Sequence, residues 1–380
     1  MTYYSKEDCQ IDDFDVLIAR QLSLKSHSRA VEVQHNVPFY DAPSLDSDLR
    51  DADKRQDILA EWVDVLLRQS GVLVLKQAVA DHNVIDAVTS VFEQIIEDER
   101  DTQTGGDHFA GTGANDRIWN ALQKLAISDP DLFVRYFASL SIAAVSEAYL
   151  GPAYQMTAQV NLVRPGGRAQ IAHRDYHLGF MSAEQSALYP AHAHQISAGI
   201  TLQGAIAHCD MPVISGPTKF LPFSQLYQPG YLAVHQDDFR AKFEANFVQL
   251  PLEKGDAIFF SPALFHAAGD NDSNDIQRLA NLLQVSSAMG RSIESLDRTA
   301  ICQKLYPALA RSNLSQAEHD AVIAAAAEGY AFPTNLDLDP PLGGNASESQ
   351  AMLLKRALSE QMSADEFAAE LAQQNDKRRA

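Results

Sequence analysis

Cysteine is scarce: the 380-residue chain has three, Cys9, Cys209 and Cys302, far apart and without the close pairing of a metal-binding motif. That excludes a disulfide-stapled secreted scaffold and points to a reducing compartment such as the cytoplasm. No apolar run of about 18 residues is present, so no membrane-spanning helix is expected. The first residues, Met1 to Asp15, have neither the basic stretch nor the apolar core of a signal peptide. The last five, Asp376 to Ala380, carry no address signal. Basic residues are few beside acidic ones, 30 against 50, for a formal charge of −20. A chain this acidic is a poor partner for nucleic acid or an anionic membrane, although a local basic pocket could still hold a small anion. Internal repeats and low-complexity segments are missing as well. What remains is ordinary globular composition, 46% hydrophobic and 21% charged, in a chain long enough to bury a large core unaided.

Residues 1–45 are mixed and hard to place. Asp46 to Gln69 carries Ile58, Leu59, Trp62, Val65 and Leu66 at helical spacing, which predicts one amphipathic helix. Gly71 to Leu75 reads as a buried strand, and Ala80 to Asp98 as a second helix with Val84, Ile85, Val88, Val91, Phe92 and Ile95 on one face. Asp101 to Asp116 is polar and glycine-rich, the composition of a loop. Pro130 to Leu150 reads as a third helix, closed by Gly151-Pro152. From Tyr154 to Ser287 short apolar runs alternate with turn signals: Met156 to Val163, Ile196 to Ile206, Thr218 to Pro222, Asn246 to Leu250, Ala257 to Ser261 and Leu279 to Ser286. This is the pattern of an antiparallel sandwich or small barrel. Capping boxes at Ser315–Glu318 and Ser363–Glu366 announce helices near the end, and the Pro/Gly/Asn-rich stretch Asp337 to Ser349 reads as a linker.

The chemistry is carried by Ala172-His173-Arg174-Asp175-Tyr176-His177. On an extended segment, residues i and i+2 face the same way, so His173 and Asp175 present an imidazole and a carboxylate to one point. His-x-Asp alone is weak, and the chain has it three times, at His173/Asp175, His208/Asp210 and His235/Asp237. A third ligand is best placed at His266, which follows the turn and apolar strand Gly255 to Ser261. Several strands must fit between the first two ligands and the third. His235 leaves too little chain for them, His208 is marginal, and His173 leaves ample room. Two histidines and one carboxylate leave positions open on iron for a 2-oxo acid and dioxygen. Twelve residues after His266, Arg278 opens the run Arg-Leu-Ala-Asn-Leu-Leu-Gln-Val. A guanidinium there can grip the distal carboxylate of 2-oxoglutarate with two parallel hydrogen bonds.

Over roughly Gly71 to Ser287 the chain resembles the phytanoyl-CoA dioxygenase family of Fe(II)/2-oxoglutarate-dependent oxygenases. The resemblance rests on the strand-then-helix opening, Gly151-Pro152 and Pro165-Gly166 shortly before His173-Arg174-Asp175. It continues through Ser215-Gly-Pro-Thr-Lys-Phe-Leu-Pro222 and Gly255-Asp-Ala-Ile-Phe-Phe260, then His266 and Arg278. It implies a mainly β fold with flanking helices around a double-stranded β-helix (jelly-roll, cupin-like) core. It also implies Fe(II) on His173, Asp175 and His266, with Arg278 bound to 2-oxoglutarate. The expected division is an extension over 1–70, the oxygenase domain over 71–290 and a helical extension over 291–380, all in one compact unit. Related halogenases carry a small residue in place of the carboxylate, so Asp175 implies hydroxylation or another oxidative outcome such as desaturation or ring formation. Two departures stand out: Pro222-Phe223-Ser224-Gln225 where the family often has Pro-Gly-Ser-His, and a long segment from Tyr176 to His194.

Plainer readings stand beside these. His173 and Asp175 could belong to an ordinary turn, His266 could be a core histidine, and Arg278 could be a loop residue paired with Asp275. Gln159, Asn161, Gln170 and Thr201 are candidates for a second contact to the oxo acid, and Tyr176, His177, Arg117 and Trp119 for contact with substrate. For Arg117 and Trp119, a plain helix start is as good a reading. His192 and His194 could share a strand face but read better as loop or pocket residues, and His208 and His235 as structural or exposed. The expected function is oxidation of a C–H bond in a small molecule with release of succinate and carbon dioxide. The alternatives are a non-catalytic cupin-like binding protein and a zinc hydrolase, neither of which needs Arg278.

Overall fold

The computed structural model describes residues 2–101, 115–332, 334–342, 344 and 346–378. Its strands are β1 (Glu32–Gln34), β2 (Val37–Asp41), β3 (Val72–Lys76), β4 (Asn115–Ile118), β5 (Gln155–Val163), β6 (Thr201–Ala207), β7 (Lys219–Leu221), β8 (Val248–Gln249), β9 (Ala257–Phe260), β10 (Phe265–Ala267) and β11 (Arg278–Ser286). Eight form one sheet in the order β1-β2-β3-β9-β6-β11-β5-β4, and three form a second in the order β10-β7-β8. An isolated antiparallel bridge between His173 and His266 adds the His173 segment to the free edge of the small sheet. From β5 onward the chain therefore crosses between sheets repeatedly: β5 in the large one, His173 in the small, β6 large, β7 and β8 small, β9 large, β10 small, β11 large. That winding is a double-stranded β-helix, or jelly roll.

Alternation along each strand sets the two faces of the large sheet. On β5, Met156, Ala158, Val160 and Leu162 join the main hydrophobic core under the helices. Thr157, Gln159 and Asn161 take the other face, toward the small sheet. On β11, Leu279, Leu283 and Val285 pack into the same core, leaving Arg278 and Gln284 on the inner side. A second cluster between the sheets includes Val72, Val74, Phe220, Ile258, Phe260 and Leu264. Antiparallel strands with one apolar and one polar face fit this enclosure. Gly255 turns the chain into β9 at φ +95°, where a Cβ would lie 2.6 Å from the Val79 carbonyl. Only glycine takes that turn without displacing backbone.

Several local expectations change. The helix over 46–69 is two helices, Ala42–Arg50 and Ala52–Arg68. The Asp51 side chain accepts hydrogen bonds from the Asp53 and Lys54 amides and so caps the second. Pro130 to Leu150 likewise splits into Pro130–Tyr136 and Leu140–Leu150, each started by its own side-chain cap, Asp129 and Ser139. The run Ile196 to Ile206 is strand only from Thr201, because Ala191–Gly199 is helical. The glycine-rich stretch over 102–114 lies outside the described residues, and its end, Asn115–Ile118, is β4. Both capping boxes form as expected, at Ser315 and Ser363.

Residues 1–70 supply β1 and β2, the latter parallel to β3 with Phe39 opposite Val74. A parallel pair needs a crossover, which the helices Ala42–Arg50 and Ala52–Arg68 provide. Among the described residues fifteen α-helices accompany eleven short strands, so β structure describes the core and helix the bulk around it. The cause is the broad outer face of the large sheet, whose apolar side chains need a helical cover. No helix among the described residues is long and apolar enough to cross a membrane.

Candidate metal centre

His173, Asp175 and His266 converge. One ligand atom from each lies within 4.8 Å of the others, the one such grouping of three or more His, Cys, Asp or Glu among the described residues. The main chain locks the two histidines together: the His173 amide donates to the His266 carbonyl at 3.0 Å, and the reverse bond is 3.2 Å. The Asp175 amide donates to the Pro262 carbonyl at 2.9 Å, which holds the next turn of chain against the same loop.

Each imidazole is oriented by its own backbone. His173 Nδ1 lies 2.8 Å from the Ile171 carbonyl and His266 Nδ1 lies 2.8 Å from the Leu264 carbonyl. A carbonyl only accepts, so Nδ1 carries a hydrogen and Nε2 is the atom turned toward a metal. Both Nε2 atoms face Asp175, at 3.6 Å from Oδ1 for His173 and 3.2 Å from Oδ2 for His266. Burial opposes ionisation of Asp175, but before a metal binds the hydrogen bonds and charges of the two histidines outweigh it and hold its carboxyl well below the usual carboxylate range. Against its burial, His173 is raised by the same carboxylate; a metal takes the place of the Nε2 proton. Burial, reinforced by the charge of His173, pulls His266 down. Two neutral nitrogens and one carboxylate oxygen facing one point suit Fe(II) and leave positions for a bidentate 2-oxo acid and dioxygen.

Between His173 and Asp175, Arg174 turns the opposite way. Its guanidinium is buried, donates to the Ser224 and Tyr227 carbonyls at 2.7 and 3.0 Å, and lies over the rings of Tyr231 and Phe265. This anchor fixes the alternation that sends His173 and Asp175 to the same side.

Arg278, at the start of β11 opposite Val163, is 7% exposed. It donates to the Ser215 carbonyl at 2.9 Å, and among the described residues no carboxylate pairs with it, Asp275 included. Burial pulls its guanidinium down to about 10. A buried cation without an anion fits a dicarboxylate guest. Asn161 sits diagonally from Arg278 on the same inner face, since it pairs with Ala280, and its side-chain oxygen has no hydrogen-bond partner. Gln159 lies further along β5, where its Oε1 accepts from Arg117 Nη1 at 3.1 Å. Thr201 pairs with Ser286, eight residues along β11 from Arg278, which is about 27 Å of strand. It therefore lies at the other end of the sheet's inner face from the guanidinium. Gln170 is half-buried in the loop before His173, its amide bonded to the Ala268 carbonyl at 3.1 Å.

The residues named for substrate also gather here. Arg117 on β4 stands opposite Asn161 and lies over the Trp119 ring. Tyr176 and His177 both adopt left-handed backbone, φ +62° and +47°. The Tyr176 hydroxyl is buried without a hydrogen-bond partner. His192 and His194 are apart from the centre on the helix Ala191–Gly199, with His194 buried and bonded to the Ser186 carbonyl. His208 is buried between Thr89 and Tyr136, and His235 is exposed. Two residues escaped the sequence reading. Gln203 donates from Nε2 to Asp175 Oδ2 at 2.6 Å; strand alternation from Thr201 was its one signal. Glu294 is buried, accepts from the Asn120 amide at 2.7 Å and is pushed up to about 7 by burial. It lies after the last strand, where no sequence pattern pointed.

The chain matches the model of the phytanoyl-CoA dioxygenase (PhyH) family over residues 67–279. It is 23% identical over 216 residues to the dioxygenase trt7 of Aspergillus terreus (strain NIH 2624 / FGSC A1156), covering 56% of this chain and 68% of that one. Among solved structures it is similar to the non-heme alpha ketoglutarate dependent epimerase SnoN from nogalamycin biosynthesis. The likeness has a TM-score of 0.43 and 20% identity over 61% of this chain and 82% of the other. The carbocyclase SnoK from the same biosynthesis gives 0.43 and 19% over 60% and 83%. The family match spans more than half of the sequence and takes in all three residues of the metal centre, and Arg278 with them. The chain belongs to the phytanoyl-CoA dioxygenase family of oxygenases, which work with Fe(II), 2-oxoglutarate and dioxygen.

Proposed function

We propose that this protein is a dioxygenase that hydroxylates a C–H bond of a small molecule, with His173, Asp175 and His266 holding Fe(II) and Arg278 holding the distal carboxylate of 2-oxoglutarate. The observation that carries the reading is the pairing of an orienting triad with a buried guanidinium that has no anion of its own among the described residues. Bound there, iron with its oxo acid and dioxygen supplies the oxidising power, and succinate and carbon dioxide leave. The chain's part is placement. The Ile171 and Leu264 carbonyls hold the imidazoles in the tautomer that presents Nε2. Arg278 fixes one end of the co-substrate, and Asn161, diagonal to it on the same inner face, assists it. Tyr176, His177, Arg117 and Trp119 line the side from which substrate would approach. Residues 71–290 form the oxygenase domain in this reading, with 1–70 and 291–380 packed on it, and the three free cysteines suit the cytoplasm.

Anaerobic titration of the apo-protein with Fe(II) and 2-oxoglutarate tests the reading. A weak visible charge-transfer band is expected, abolished in His266→Ala. A folded protein that binds iron and shows no band refutes it.

A further inference from the structure

The carboxylate of Asp175 has three close neighbours, and they are not equivalent. His173 and His266 approach it through Nε2, the atoms that must be unprotonated to bind a metal. Neither can then donate to Asp175. The remaining neighbour is Gln203, whose side chain lies 2.6 Å from Oδ2. An ionised carboxylate only accepts, so the atom facing it is the amide nitrogen. Among the described residues this is the one side-chain hydrogen bond to Asp175 that survives loading of the centre.

Gln203 is well placed to hold it rigidly. It lies in β6 at the middle of the large sheet, paired with Gln284 on one side and Phe260 on the other, and is 6% exposed. Asp175, by contrast, belongs to a loop outside both sheets, held by the His173–His266 bridge, its own amide and the neighbouring Arg174. A carboxylate on a loop is free to turn about its last torsion. A donor fixed on a strand removes that freedom.

Resting on the proposed function, we infer that Gln203 is a positioning residue for the metal centre. It holds Oδ2 so that Asp175 meets the metal through Oδ1 alone and keeps the adjacent position open. Without it, Asp175 can close on the metal with both oxygens and occupy a position that the co-substrates need. Gln203 lies within the family-matched residues, yet neither metal spacing nor the Arg278 signal identifies it.

The test uses Co(II) as probe on the full-length apo-protein under anaerobic conditions, reading both the dissociation constant and the d–d absorption. Gln203→Met keeps the length and removes the donor, and Gln203→Asn keeps the amide but falls short of Oδ2. Each is expected to weaken Co(II) binding about 10- to 100-fold and to change the shape of the d–d envelope, with the apo-protein melting as wild type does. Gln284→Met, on the same wall opposite Gln203, is expected to bind Co(II) within about twofold of wild type, the size of an effect that perturbs no ligand. A folded Gln203→Met or Gln203→Asn that matches wild type in affinity and spectrum overturns the inference. So does an equal loss in Gln284→Met, which would make the effect one of wall packing. Wild type that binds no Co(II), or a His266→Ala variant that binds it undiminished, removes the triad reading and this inference with it.

Discussion

Replacing Arg278 should separate stability from co-substrate binding, because the side chain serves them with opposite sign. In the apo-protein the guanidinium is buried and donates to the Ser215 carbonyl. Burial holds it at about 10 against an ordinary 12.5, a desolvation cost of about 3 kcal/mol. Arg278→Met removes that cost, loses one hydrogen bond worth about 1 to 3 kcal/mol, and keeps much of the packed length. The apo-variant should therefore melt at the wild-type temperature or a few degrees higher. 2-Oxoglutarate binding should collapse: truncating one partner of a buried charged pair costs about 2 to 5 kcal/mol, or about 30- to 4000-fold in dissociation constant. Arg278→Lys keeps a point charge but not the planar fork and should lie between, at about 10- to 100-fold. Isothermal titration with Mn(II) in place of iron gives the affinities, and calorimetric melting with and without 2-oxoglutarate gives the linkage. Wild type should gain about 2.7 kcal/mol at a hundredfold excess over its dissociation constant, and Arg278→Met nothing. An apo-variant that melts far below wild type and still binds 2-oxoglutarate would make Arg278 a structural residue and refute the reasoning.

Gly216→Ala should weaken the same grip from a distance. Gly216 has φ +73°, and a Cβ there would lie 2.1 Å from the Asp270 carbonyl, so Ser215, which receives Arg278, must shift. A loss of about 1 to 3 kcal/mol in urea unfolding is expected, together with weaker 2-oxoglutarate binding by titration; loss of neither would mean that the loop yields freely. Acid should act through His208, which burial holds down at about 3, between Thr89 and Tyr136. The unfolded chain takes up a proton below about 6.5 that the folded one refuses. The stability is fully present above that value and is lost as the pH falls toward 3. His208→Gln should flatten the urea midpoint against pH from 6.5 down to 4, and an unchanged slope would show that His208 is protonated in the fold.

The metal centre was more legible than the helices because its chemistry restricts residue identity while helix periodicity does not restrict helix ends. His173 and Asp175 could be read as a pair from alternation alone, although the segment is no regular strand and owes its alternation to the burial of Arg174. The apolar residues that predicted one helix, Ile58 to Leu66, all follow Asp51, so their spacing could not register a break made by a carboxylate that caps the Asp53 and Lys54 amides. The helix Ala191–Gly199 was read as strand in part because its apolar residues are few and a short run does not separate the two periods. β1 and β2 were hidden because their sheet partner lies beyond two intervening helices. Gln203 was hidden for the same kind of reason: its role depends on a partner 28 positions earlier, on a loop beside the small sheet.

The turn at Phe223 carries this furthest. Where the family often has glycine, Phe223 holds a left-handed backbone at φ +69° and is fully buried, a conformation costing a bulky residue about 1 to 3 kcal/mol. The next residue shows what keeps it there. Ser224 Oγ donates to the Leu221 carbonyl and accepts from the Phe265 amide, while its own carbonyl receives Arg174. These bonds tie the turn to β10, which carries His266, and to the guanidinium between His173 and Asp175. The departure from the family pattern therefore leaves the turn intact. What preserves it is the need to seat Arg174, and through Arg174 the pair His173 and Asp175, and that need becomes visible only when the two sheets are brought together.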